Sequence, residues 1–155
     1  MFRAMNKESS AGRVLLVDDQ PDLIEGFRQL LEVEGFEVVV HTSVITLPFT
    51  VPRVDPDVIL LDLSLPALSG SALLEHGAHK ILRTNVPIIL FSGRSSTELS
   101  RMTEELGADG FLAKSADVND AVRRIRMWVM NRRVLSALRK GETNHAARTA
   151  FAVAH

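Results

Sequence analysis

The chain has 155 residues, 46% apolar but only 5% aromatic, with no cysteine and a net charge of −1. That length suits one domain with an aliphatic core. The lack of cysteine excludes a disulfide framework and a thiolate metal site, and no apolar run approaches the roughly 18 residues of a membrane span. The charge is uneven, −6 over residues 1–116 and +5 over 117–155, an acidic body with a basic tail. Neither nucleic acid nor membrane is an expected partner of such a body, and a reducing, cytoplasmic setting fits. Residues 1–11 lack the apolar core of a secretory signal and read as a flexible lead-in.

In chain order, Arg13 to Val17 predicts a strand ending in Asp18-Asp19. Pro21 then suits a first helical turn, and Leu23, Ile24, Phe27, Leu30 and Leu31 repeat at helical spacing up to Gly35. Phe36 to His41 is a second strand. A helix is due next, but Pro48, Pro52 and Pro56 recur every four residues, so a short helix or irregular loop is expected. Val58 to Leu61 reads as a strand buried on both faces and ends at Asp62, with Pro66 and Gly70 turning the chain. Ser69 to Thr84 predicts one helix weakened by Gly77, and Val86 to Phe91 a fourth strand before Ser92-Gly93. Ser96 to Leu106 predicts a helix closed by Gly107, and Gly110 to Ala113 a fifth strand ending at Lys114. From Asp117 a long helix runs to about Lys140, with Val118, Val122, Ile125 and Val129 as its core stripe and Gly141 as its stop. Val134, Leu135 and Leu138 continue the apolar character past the sheet.

Five alternations of strand and helix imply a doubly wound parallel α/β sheet, with an irregular second helix and an extended C-terminal helix. In such sheets ligands bind outside the carboxyl ends of the strands. Those ends carry Asp18/Asp19, Asp62, Ser92 and Lys114. Any one of them alone reads as a strand that simply stopped. Together, three carboxylates repel and need a cation, and oxygen-only ligands suit a hard ion such as Mg²⁺. A hydroxyl and an ammonium beside it suit a phosphoryl group.

In the order and spacing of these residues the chain resembles a response-regulator receiver domain, the phosphoacceptor module of two-component signalling, over about residues 12–131. The resemblance implies a flavodoxin-like (βα)5 fold. It implies that Asp62 accepts a phosphoryl group from a histidine kinase, a histidine phosphotransfer protein or a small phosphodonor. It further implies that Asp18, Asp19, Asp62 and the Ser64 carbonyl hold Mg²⁺, that Lys114 and Ser92 bind phosphoryl oxygens, and that Ser92 and Phe111 form the switch. Such a domain is a switch and not an enzyme beyond its own phosphotransfer and autodephosphorylation. Ser64 and Arg94 occupy the positions that tune dephosphorylation in the family. Ser115 stands where the family usually has Pro, and Phe111 where Tyr is more frequent.

The rival from another class is a haloacid-dehalogenase-like phosphatase, which also uses an Asp nucleophile, Mg²⁺, Ser/Thr and Lys. That chemistry needs a second acid two residues after the nucleophile, and Ser64 stands there. His76 and His79 are one turn apart with no carboxylate expected to complete a site, and Trp128 reads as packing. Residues 132–155 form a basic extension, helical to about 140, as the expected docking element for a downstream protein or a second copy of the chain. Only 24 residues follow position 131, too few for a helix-turn-helix domain, so a stand-alone receiver is expected.

Overall fold

Short aliphatic runs whose alternate side chains are buried on opposite faces pair into a sheet that must be covered on both sides. The computed structural model describes residues 10–64 and 70–140. Its elements are β1 (Gly12–Val17), α1 (Pro21–Val33), β2 (Phe36–His41), α2 (Leu47–Val54), β3 (Val58–Asp62), α3 (Gly70–Glu75), α4 (Ala78–Ile81), β4 (Ile88–Ser92), α5 (Ser96–Leu106), β5 (Gly110–Ala113) and α6 (Val118–Arg139). The five strands are all parallel in the order β2-β1-β3-β4-β5. β3 lies at the centre, with Val14 beside Val58 and Ile59 beside Ile88.

The pleat sorts the core into two layers. Leu15, Val17, Ile59, Leu61, Ile88 and Leu90 pack against Leu47 and Val51 of α2, Leu73 and Leu74 of α3, and Leu99 of α5. Val14, Leu16, Val58, Leu60, Ile89 and Phe91 pack against Ile24 and Leu31 of α1, and Ala121, Val122, Ile125 and Val129 of α6. Helices therefore cover both faces, as the alternation of elements predicts.

The second helix is short, as its prolines predict, and two other expectations need correction. The prolines shorten α2 without preventing it. Pro48 sits in the first turn, where no N–H is needed, Pro52 lies inside, and the helix stops at Val54 with Asp55 left-handed ahead of Pro56. The single helix expected over 69–84 is two, because Gly77 adopts φ +80° between α3 and α4. Val118 is 43% exposed and leaves the core stripe to Ala121, Val122, Ile125 and Val129. It is the first residue of α6, next to the Asp117 cap. The cap itself holds: Asp117 accepts from the N–H of Asn119 (2.9 Å) and Asp120 (3.1 Å). Pro66, the lead-in up to residue 9 and the chain from Gly141 onward lie outside the described residues. No cis peptide bond occurs among the described residues.

Helix α6 packs tightly on β1 at Gly12, whose φ is +147° and where an added Cβ would lie 2.7 Å from Val129 Cγ1. Gly12→Ala is expected to cost about 2 kcal/mol in denaturant unfolding, from overpacking and backbone strain. The double variant with Val129→Ala should cost less than the sum of the two single changes, because the second change vacates the space the first one fills.

Candidate functional site

Parallel strands of similar length bring their carboxyl ends to one edge, and each end delivers one polar side chain. Asp18 directly follows β1, Asp62 closes β3, Ser92 closes β4 and Lys114 directly follows β5. Asp18 is fully buried and Asp62 and Ser92 are each 3% exposed. Such burial demands partners for every charge.

The partners are present. Lys114 Nζ donates to Asp18 Oδ2 at 2.8 Å and lies 3.6 Å from Asp62 Oδ2. Asp18 Oδ1 accepts from the Gln20 N–H (2.9 Å), and Asp62 Oδ1 from the Ser64 N–H (3.1 Å). The Ser92 hydroxyl accepts from the Arg94 N–H (3.3 Å), and the Ser92 carbonyl accepts from the Lys114 N–H (2.7 Å), which ties the ends of β4 and β5 together. Beneath the ammonium lies Phe91, its ring centroid 5.2 Å from Nζ.

Carboxylate oxygens of Asp18, half-buried Asp19 and Asp62 all lie within 4.8 Å of one another. Three carboxylates against one ammonium leave excess negative charge in a partly dry site. An all-oxygen donor set of that charge fits a hard divalent cation such as Mg²⁺. Burial pushes the Asp62 carboxyl above the ordinary carboxylate range; the charges of Asp18 and Asp19 push the same way, against the Ser64 N–H and Lys114.

A family model described as the response regulator receiver domain matches residues 14–126. The chain belongs to the response-regulator receiver family. Receivers of this family are signalling switches of two-component systems and not classical enzymes. Among similar curated proteins, the transcriptional regulatory protein PrrA of Mycobacterium leprae is 30% identical over 90% of this chain and 58% of its own length. The nitrate/nitrite response regulator protein NarP of Escherichia coli is 34% identical over 94% of this chain and 70% of its own length. A crystal structure of a LuxR-family two-component response regulator from Aurantimonas sp. SI85-9A1 superposes with a TM-score of 0.65 at 28% identity, covering 79% of this chain and 87% of that one. The chain spans about half the length of several curated relatives it matches.

Within this receiver the structure brings together the side chains of Asp18, Asp19, Asp62 and Lys114, with Ser92 at the end of the neighbouring strand and its carbonyl on the Lys114 N–H, all singled out from the sequence. Arg94 extends toward Glu98 on the exposed flank of α5, at 3.9 Å. Phe111 is half-buried against the α5 side of the core, and the Arg124 guanidinium lies 5.0 Å from its ring centroid and 5.4 Å from that of Trp128. Sequence reasoning missed Arg124 and Phe91, because both contacts form across elements distant in the chain. It also missed a partner for His79, whose Nε2 lies 2.7 Å from Asp109 Oδ2 and whose Nδ1 lies 3.1 Å from the Thr84 carbonyl.

A raised folded-state carboxyl binds its proton to higher pH than the unfolded chain does, so its penalty appears as pH rises above about 3.8. Asp62→Asn, without divalent cation, is therefore expected to raise unfolding stability at pH 7 relative to the unsubstituted chain. Thermal melts of both proteins should converge as the pH falls through the carboxylate range. Added Mg²⁺ should raise the melting temperature of the unsubstituted chain more than that of the variant.

Proposed function

We propose that Asp62 is the phosphoacceptor of this receiver. The observation that carries the reading is its place at the end of the central strand, between the acidic pair Asp18/Asp19 and the Lys114 ammonium. A carboxylate oxygen of Asp62 attacks phosphorus, a P–O bond forms, and the P–N bond of a phosphohistidine donor, or the P–O bond of a small donor such as acetyl phosphate, breaks. Asp18, Asp19, Asp62 and the Ser64 carbonyl would hold Mg²⁺, which supplies charge neutralisation at the phosphoryl oxygens. Lys114, released from Asp18, takes a phosphoryl oxygen, and the Ser92 hydroxyl takes another.

The readout follows from packing. Ser92 moving toward the phosphoryl group vacates space beside β5, and Phe111 turns inward to fill it, leaving the Arg124 guanidinium. Ser64 and Arg94 tune the lifetime of the phosphoryl group. The donor is a histidine kinase or a histidine phosphotransfer protein of the cytoplasm, and output is a contact with a downstream protein or onward relay. The outward face of α6 supports such docking: Met127, Met130, Val134, Leu135 and Leu138 are each half exposed or more. On this reading the receiver spans 12–131, and the basic extension from 132 serves the downstream partner or a second copy of the chain.

A phosphatase of the haloacid-dehalogenase kind finds no support. The family match is the response regulator receiver domain and NarP is a response regulator protein, and Ser64 stands where its second acid belongs. Incubation with acetyl phosphate and Mg²⁺ should add one phosphoryl mass to the intact chain by mass spectrometry, and Asp62→Asn should abolish it. Equal labelling of the Asn variant would overturn the assignment.

A further inference from the structure

The face of α6 that meets the sheet changes character where the sheet ends. Ala121, Val122, Ile125 and Val129 are buried; the next residues within about 65° of the same line are Arg132, Arg133, Ser136, Arg139 and Lys140. Beneath them is a cavity of about 380 Å³, walled on the other side by Asp55 and Asp57.

Its charges are not all matched. Asp57 is 3% exposed and accepts from the Arg13 N–H (2.9 Å) and from Arg133 (3.1 Å), so these two side chains answer one another. Arg132 Nε is buried and has no hydrogen-bond partner among the described residues. That N–H is closed even to a water-sized sphere, so an incoming acceptor would meet the guanidinium at its terminal N–H groups, and Arg132 has no ion-pair partner among the described residues to compete for them. Arg132, the Ser136 hydroxyl and Lys140 line the same space.

We propose that this niche is an anion site for one small oxyanion, a phosphate group or a carboxylate, taken by the guanidinium fork of Arg132 with Lys140 beside it. Asp55 on the wall disfavours a polyanion, which argues against nucleic acid and an anionic membrane surface. The niche lies at the end of β3 opposite to Asp62, roughly 16 Å away along the strand, so it is separate from the proposed phosphoacceptor.

The test is nitrogen-15 NMR of the full chain without divalent cation, titrated with inorganic phosphate or with acetate at constant ionic strength set by sodium chloride. The Arg132 Nε–H signal, assigned by its loss in Arg132→Lys, is expected to shift and saturate. Saturation by phosphate alone, or by acetate alone, names the oxyanion class, and saturation by both supports the shared chemistry. Lys140→Ala should weaken the apparent affinity about fivefold, while Asp62→Asn should leave it unchanged. A shift that follows ionic strength without saturating, or one that is lost in Asp62→Asn, would overturn the proposal.

Discussion

The contact of Lys114 with Asp18 and Asp62 is the constraint on which the upper edge of the sheet depends. Two nearly dry carboxylates at the ends of adjacent strands repel, and burial makes each charge costly without a partner. One ammonium, brought by the strand two places away, holds them at 2.8 and 3.6 Å. It reaches them because the β4–β5 pairing is locked just below, where Ser92 lies beside Ala113 and the Ser92 carbonyl accepts the Lys114 N–H. The stability of this edge and its chemistry therefore rest on the same charge. A ligand that draws Lys114 away must bring its own compensation for Asp18, which is what a divalent cation does.

The core beneath is arranged so that this edge stays in register. Every residue of β3 and β4 is buried, and alternate side chains feed two separate layers. A one-residue slip would exchange the layers and move Asp62 off the edge. Phe91 joins the two levels: its ring stacks on Phe27 of α1 (centroids 5.1 Å apart) and lies under the Lys114 ammonium.

Much of this was legible in the sequence, for local reasons. Strand ends are marked by an abrupt change from aliphatic to charged residues, so Asp18, Asp62, Ser92 and Lys114 could be placed on one edge from chain order alone. Helix stops at Gly107 and starts at Pro21 and Asp117 carry their own chemistry. Where the reading failed, the deciding physics was tertiary or a competition between local rules. Gly77 could have been tolerated inside a helix, and only the structure shows the left-handed turn that splits α3 from α4. The stacking of Arg124 on Phe111 and the pairing of His79 with Asp109 join residues 13 and 30 positions apart, and neither leaves a periodic trace. Val118 fitted the helical stripe by spacing, but spacing does not reveal that the first residue of the helix stays exposed.

Helix α6 has a mechanical consequence. It runs 22 residues without a break, about 33 Å of rise. It begins four residues after Lys114. Near its far end Arg133 is pinned to Asp57 at the foot of β3. A rod of that length is a lever: a tilt of about 5° at the lysine loop would sweep the other end through about 3 Å. The Arg133–Asp57 pair, together with Val129 wedged against Gly12, clamps the helix against such a tilt. The gain of the lever is thus set at the bottom of the sheet, by residues that never touch the charged edge at the top.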